Sequence, residues 1–472
     1  MRVIIFGTGI YYKKRKEEIK ELPNVEVVAF LDNNLNQWGE NEEGIPIVSP
    51  INIHEFVYDV VILMSTYRKE MKEQLLTLGV ESLKIKYWED FCNNISYKKI
   101  EVLNPVLNID RLKKKILIIS QYLNYDGGSL TAIYATKILR DKGYSVVLAI
   151  PEGNSNLIRE IMAEGITVAI CPSIPYLQEE DLSWIQQFEV VMVNVFPLIK
   201  CAYDISQFRP TLWWIHEAQA IYDSITAYFY EYTDIKRIKN IDIYTVSKIA
   251  NRNFKMHLPK MQTRIISYGI PDMNLCKKIE MKVSTKTIFA IIGSVYEGKA
   301  HDIFINAIER MHNKENTEFW IIGNMVDNDY CNSIRKAAKE NPAIKILGML
   351  TREEIYQAFQ EIDVVVCPSR EDCLPIVMTE AMMFEKICIA SDGTGTADFI
   401  TDGENGFVVP VEDVSALSEK MQWILENISQ LEHIGKNARK TYEKYFSMEV
   451  FGNNLEKAIL ETEELWKANK DL

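Results

Sequence analysis

Short apolar runs recur along the chain, each followed by a stretch in which apolar positions return every three or four residues. The runs suit buried strands and the stretches suit helices with one face on a sheet, so their alternation predicts parallel, doubly wound α/β sheets. Three blocks of this pattern follow one another. The first has strand-like runs at Arg2–Gly7, Val25–Asp32 and Asp59–Ser65, a polar-faced helix over Lys13–Leu22, another around Glu70–Leu78, and a linker over Tyr97–Asn108. The second has runs at Lys114–Ser120, Tyr144–Ile150, Ile166–Ile170, Glu189–Val195, Thr211–Glu217, Ile241–Ser247 and Arg264–Gly269. After the polar stretch Cys276–Thr287, the third has runs at Ile288–Ser294, Glu318–Asn324, Ile344–Leu350, Asp363–Ser369, Lys386–Ser391 and Asn405–Pro410. The expected units are residues 1–100, 112–275 and 276–450, with a closing helix over 451–472 that packs back on the second unit.

Composition narrows the class without changing it. A chain of 472 residues with net charge −13 has no broad basic face for nucleic acid, and the Arg111–Lys115 cluster reads as a solvated linker. The eight cysteines form no CxxC pair and no zinc spacing with histidine, which predicts free, mostly buried thiols in a reducing compartment. The opening MRVIIFGTG reads as strand and turn rather than a leader, and no run is long and apolar enough to span a bilayer. A cytoplasmic protein is expected.

The chemistry is concentrated in CPSREDCLPIVMTEAM, starting at Cys367. Proline favours the first helical position, so Pro375 marks a helix start whose free N–H groups, at Ile376 and Val377, suit a diphosphate. Glu380 lies one turn on, on the face of Ile376, and leans toward that start. Asp372 faces the same space from the preceding loop. A ligand presenting both phosphate and several hydroxyls, such as a nucleotide sugar, fits two acids around a helix N-terminus.

From Ile288 to Leu425, the stretches IIGSVYEGKAHD, WIIGN, IKILGML, DVVVCPSREDCLPIVMTEAM and SDGTGTADFITDGENGFVVP resemble, in order, the donor half of retaining glycosyltransferases of family four, which have the GT-B fold. The resemblance implies two Rossmann-like domains, acceptor-side (112–275) and donor (276–450). It maps the family's paired acids to Asp372, in place of the usual Glu, and Glu380. The first acid contacts the donor sugar and the second its ribose. Lys299 matches the basic residue on the diphosphate, Ser294 replaces an arginine that often follows Gly293, and Ala300 replaces a glycine. Cys373, Leu374, Ile376 and Val377 complete the donor-binding set, while Gly395 and Asp398 form site walls. In the second block, Gly127 and Gly128 match the family's glycine loop, and His216 matches a histidine lining the cleft near the transferred sugar. His216, Lys299, Asp372 and Glu380 are the catalytic expectation.

The resemblance further implies a hexosyl-type transfer from a nucleoside-diphosphate sugar to a glycan, lipid-linked or protein acceptor, with no metal and no other cofactor. Asp327–Asp329 reads as a surface loop rather than a metal motif. The second reading is a nucleotide-sugar-binding or scaffold subunit without turnover. Ile221–Lys239 mixes aromatic and basic residues and reads either as a core helix or as a segment resting peripherally on a membrane. The first block resembles a Rossmann-type nucleotide-binding module through Gly7, Gly9 and Asp32, with Tyr12 at the third glycine position. It serves either nucleotide binding or contacts within a homo-oligomer or complex.

Overall fold

The computed structural model describes residues 1–472 except 23, 66, 96–97, 105–113, 223–237, 239, 275–285 and 471–472. Most of the Ile221–Lys239 and Cys276–Thr287 stretches, and parts of the Tyr97–Asn108 linker and the Arg111–Lys115 cluster, therefore lie outside the described residues.

Three sheets follow in chain order, all Rossmann-like in topology. The first runs Asn41–Glu42, Ile45–Val48, Glu26–Leu31, Arg2–Phe6, Val60–Leu63, Ile85–Tyr87, parallel but for its hairpin edge. The second runs Arg264–Ile265, Ile241–Thr245, Thr211–Ile215, Val190–Asn194, Lys115–Ile119, Ser145–Ile150, Thr167–Ile170, Glu101–Leu103. The third is wholly parallel: Ile344–Gly348, Thr317–Ile322, Thr287–Ile292, Val364–Cys367, Ile387–Ser391, Phe407–Val409. Central strands such as Val190–Asn194 and Ile387–Ser391 are buried along their whole length, as continuous apolar runs require when helices cover both faces.

Two local readings change. Glu101–Leu103, within the expected linker, pairs antiparallel with Thr167–Ile170 and closes an edge of the second sheet. The helix expected over Lys13–Leu22 is two short pieces, Ile10–Lys13 and Lys16–Lys20. The chain turns at Arg15, whose φ of −121° and ψ of 2° interrupt the helical run.

The long helix Met448–Lys470 leaves the third sheet and lies on the second. Phe451 stacks on Trp214 with centroids 5.6 Å apart, Tyr144 Oη donates to Glu456 at 2.9 Å, and Trp466 Nε1 donates to the Ser206 carbonyl at 3.1 Å. This return crossing clasps the two halves that carry the site.

Candidate functional site

The helix Ile376–Met383 is buried from Met378 onward, its two polar residues Thr379 and Glu380 included, so no solvent-facing polar stripe marks it in the sequence. Pro375 sits one position earlier than expected, as the extended residue that caps the helix, so Ile376 and Val377 provide the first-turn N–H groups without intrahelical acceptors. Tyr268 Oη donates to the Leu374 carbonyl at 2.8 Å and pins the approach to the helix, in which Cys373 and Leu374 are buried.

Asp372 and Lys299 meet directly: the Lys299 ammonium donates to the Asp372 carboxylate. Burial works against the ammonium, but Asp372 outweighs it and holds Lys299 above its ordinary value. The lysine stem runs past Gly293 (φ +146°), where a Cβ would lie 3.6 Å from Lys299 Cε. Ser294 is exposed beside it. Gly323 is compulsory on geometry, since its Cβ would sit 1.9 Å from the Gly293 carbonyl oxygen. The loop carrying Asp372 is stitched to Gly393–Gly395 by two backbone bonds, Asp372 N–H to Gly393 O (3.0 Å) and Gly395 N–H to Asp372 O (2.8 Å). A Cβ on Gly395 would fall 1.8 Å from the Cys373 oxygen, so only glycine permits this crossing.

Glu380 is buried and its carboxylate receives the guanidinium of Arg352, which also reaches Tyr356 Oη at 2.8 Å. Burial pushes the Glu380 carboxyl up, and Arg352 pulls it back. The sequence reading missed Arg352, which lies in an ordinary capping-box helix start, Thr351–Glu354, with no sign of a buried partner. Burial raises the Tyr268 hydroxyl well above its ordinary value, and the Asp372 and Glu380 carboxylates raise it further.

Glu371 and Asp372, adjacent in sequence, diverge. Glu371 accepts from the Gln219 N–H (2.8 Å) and from Asn253 Nδ2 (2.7 Å), both on the second-sheet half. Asp398 likewise pairs across the halves with Lys248 at 3.0 Å. These acids fasten the halves together rather than facing Lys299.

Gly128 and His216 line a separate cavity of about 200 Å³ at the end of the second sheet, with Ser120, Tyr122, Asp126 and Glu217. The glycine loop that forms its wall touches the helix Ile376–Met383, since a Cβ on Gly127 would lie 3.7 Å from Ile376 Cδ1. Desolvation lowers His216 to about 3, so its imidazole is neutral, and its buried Nε2 has no hydrogen-bond partner among the described residues. Burial raises Glu217 to about 7 against the backbone N–H bonds it receives, and raises Asp126 as well. Glu217 is the second group the sequence reading missed, although it adjoins His216.

Asn328 caps the helix Asp329–Glu340, and Asp327 accepts from Asn332 Nδ2 at 3.1 Å, so the DND stretch is a helix start. Among the described residues, no group of three or more His, Cys, Asp or Glu side chains could hold a metal ion. Nor is any described helix long and apolar enough to cross a membrane. Gly7, Gly9 and Asp32 lie at a third cavity, on the first sheet.

Comparison with known proteins agrees with this architecture. Residues 273–441 match the family described as glycosyl transferases group 1, and residues 1–86 match C2185-like, N-terminal. The chain is 24% identical over 191 residues to the capsular polysaccharide biosynthesis glycosyltransferase CapM of Staphylococcus aureus, a match covering 40% of this chain and 50% of that one. It is 25% identical over 165 residues to the Campylobacter jejuni N,N'-diacetylbacillosaminyl-diphospho-undecaprenol alpha-1,3-N-acetylgalactosaminyltransferase, covering 35% and 42%. The match thus spans half or less of these curated relatives. Anabaena Alr3699/HepE, solved in complex with UDP and glucose, superposes with a TM-score of 0.63 at 16% identity, over 74% of this chain and 100% of that one. The match to the group 1 glycosyl transferases thus falls on the third sheet and its helices, and the second and third sheets form a GT-B fold.

Proposed function

We propose that this chain is a retaining glycosyltransferase that moves a hexosyl-type sugar from a nucleoside-diphosphate sugar to an acceptor hydroxyl without a metal ion. The observation that carries the reading is the Lys299–Asp372 pair set beside the start of the helix Ile376–Met383. When the donor bond breaks, charge develops on the departing diphosphate. Lys299 and the N–H groups of Ile376 and Val377 are fixed positive groups for that charge, and they need little reorganisation as it develops. Asp372, already on Lys299, orients the donor sugar between the lysine and the acceptor side. Glu380, held in place by Arg352, takes the ribose hydroxyls. Neutral His216 lines the acceptor side, where the incoming hydroxyl approaches the face that the diphosphate leaves.

The HepE complex holds UDP and glucose, which makes UDP-sugars the first donors to test. The named roles of CapM and the Campylobacter transferase support an acceptor in surface polysaccharide or lipid-linked glycan synthesis. The test is nucleoside diphosphate release from a panel of nucleotide sugars, with candidate acceptors supplied. Release from one donor, reduced about 10²–10³-fold by Lys299→Ala, is the expected result. Donor binding without release in the presence of acceptors would instead favour the scaffold reading. Absence of donor binding would sink the site assignment.

A further inference from the structure

A cavity of about 790 Å³ lies on the first sheet, lined by residues between Gly7 and Met71 and by none of the helix Ile376–Met383. It opens where strand Arg2–Phe6 is flanked by Glu26–Leu31 on one side and Val60–Leu63 on the other. The chain leaves Arg2–Phe6 toward one edge and returns to its other side, so the loops beyond these strands diverge and leave a crevice. We propose that this crevice is a second ligand site, which binds a nucleoside phosphate with its phosphate over Gly9 and Lys14 and its base on the Tyr67 side.

The two glycines of the loop do different work. Gly7 has φ +104°, and a Cβ there would meet the Met64 carbonyl oxygen at 2.8 Å, so the backbone itself demands glycine. Gly9 has φ −73°, which any residue adopts, and a Cβ there would meet nothing within 4 Å. Neither strain nor packing calls for glycine at this position. What its absent side chain preserves is open space in the cavity.

The charge around that space is positive, although the chain as a whole is strongly negative. Lys14 lines the cavity with no ion-pair partner among the described residues, whereas its neighbour Lys16 is within 4 Å of Glu42 and Glu43 (3.8 and 3.7 Å). The Arg15 guanidinium lies 4.0 Å over the Tyr11 ring, with one long bond to the Tyr11 carbonyl at 3.5 Å. The one acid lining the crevice, Asp32, is already taken up. Its Oδ2 accepts from Thr8 N–H (2.9 Å) and Thr8 Oγ1 (2.5 Å), and its Oδ1 from Asn34 N–H (2.8 Å). Through these bonds Asp32 braces the glycine loop from the end of its strand. Tyr12, at the third glycine position, is buried edge-on against Phe30 at 5.1 Å and belongs to the core.

The remainder of the wall is apolar. Met64 and Met71 form the floor, and Ile10 and Tyr67 stand at the rim, 75% and 70% exposed. Large exposed apolar groups rimming a cavity are a usual mark of a binding site, and an aromatic base would cover them. A cavity of this size suits a mononucleotide.

The test uses the full chain carrying Lys299→Ala, so that donor-site binding is suppressed. UDP, ADP, GDP and inorganic phosphate are titrated into it by calorimetry. One nucleotide should bind with one-to-one stoichiometry, weakened about tenfold or more by Lys14→Ala with Arg15→Ala and abolished by Gly9→Leu. Thermal melting checks that each variant is folded; if Gly9→Leu is not, the exposed Lys14→Ala change decides. Saturable binding of no nucleotide would overturn the proposal, as would binding indifferent to all three substitutions. Inorganic phosphate binding as tightly as the best nucleotide would overturn the base contact and with it the nucleoside assignment.

Discussion

Arg352 and Glu380 form an ion pair that joins the start of one donor-half helix to the interior of another. Glu380 has almost no solvent exposure, so its charge depends on this partner. Breaking a buried pair by removing one member leaves an uncompensated charge. Arg352→Ala is expected to cost about 3–5 kcal/mol in urea denaturation at pH 7. Glu380→Gln added to Arg352→Ala should recover most of that loss, because no charge is then left alone. A double variant as unstable as the single one would mean that packing rather than charge holds the site.

Asp372 sits where the resembled family carries glutamate, and here it reaches the Lys299 ammonium with the shorter side chain. Asp372→Ala should lower nucleoside diphosphate release by about 10²-fold or more, through lost positioning of sugar and lysine. Asp372→Glu should stay within about tenfold of the wild type, since the carboxylate remains on the same loop. Equal losses in the two variants would show that the site tolerates only this chain length.

The Glu217 carboxyl provides a pH-dependent signature. It sits at about 7 in the folded chain against 4.5 for an exposed glutamate. The folded state thus keeps its proton longer, so this contribution to stability is fully present below pH 4.5 and is lost as pH rises toward 7. Glu217→Gln, neutral throughout, should gain on the wild type across that window, by up to about 3 kcal/mol above pH 7. Denaturation midpoints of both proteins at pH 5.5 and pH 8 measure the difference. A gap that does not widen with pH would place the carboxyl at its ordinary value.

Ala300 caps the helix His301–Arg310 with φ +56° and ψ +44°, a left-handed conformation that a Cβ disfavours. Ala300→Gly should stabilise the chain by about 0.5–1 kcal/mol, the relief of strain exceeding the added freedom of the unfolded chain. Urea unfolding with an unchanged slope is the check. The adjacent Lys299 makes donor release a second readout, which should not fall.

Much of the fold is written in local pattern. Apolar runs separated by amphipathic stretches specify parallel sheets because a strand covered on both faces has no polar side to show. Pro375 punctuates the helix Ile376–Met383 through its own ring, within one residue of the place its preferences indicate. The Asp372–Glu380 spacing is legible for the same reason: loop and helix are contiguous, so their geometry follows from the chain itself.

The partners are another matter. Arg352 lies 28 residues before Glu380, and only the packing of two helices on the third sheet brings them together. Glu371 and Asp372 carry the same charge in adjacent positions. Their side chains go different ways, one to Asn253 and one to Lys299. Gly323 and Gly395 look like ordinary turn glycines until neighbouring loops close to within a Cβ of them. Local pattern marks most strands and helices and where the acids and the lysine stand along them, since these depend on neighbours in the chain; the short edge strand Glu101–Leu103 escapes it because its pairing partner is distant. The order of strands in each sheet, and so which charge meets which, was decided only by the tertiary structure, because burial pairs groups that no local rule connects.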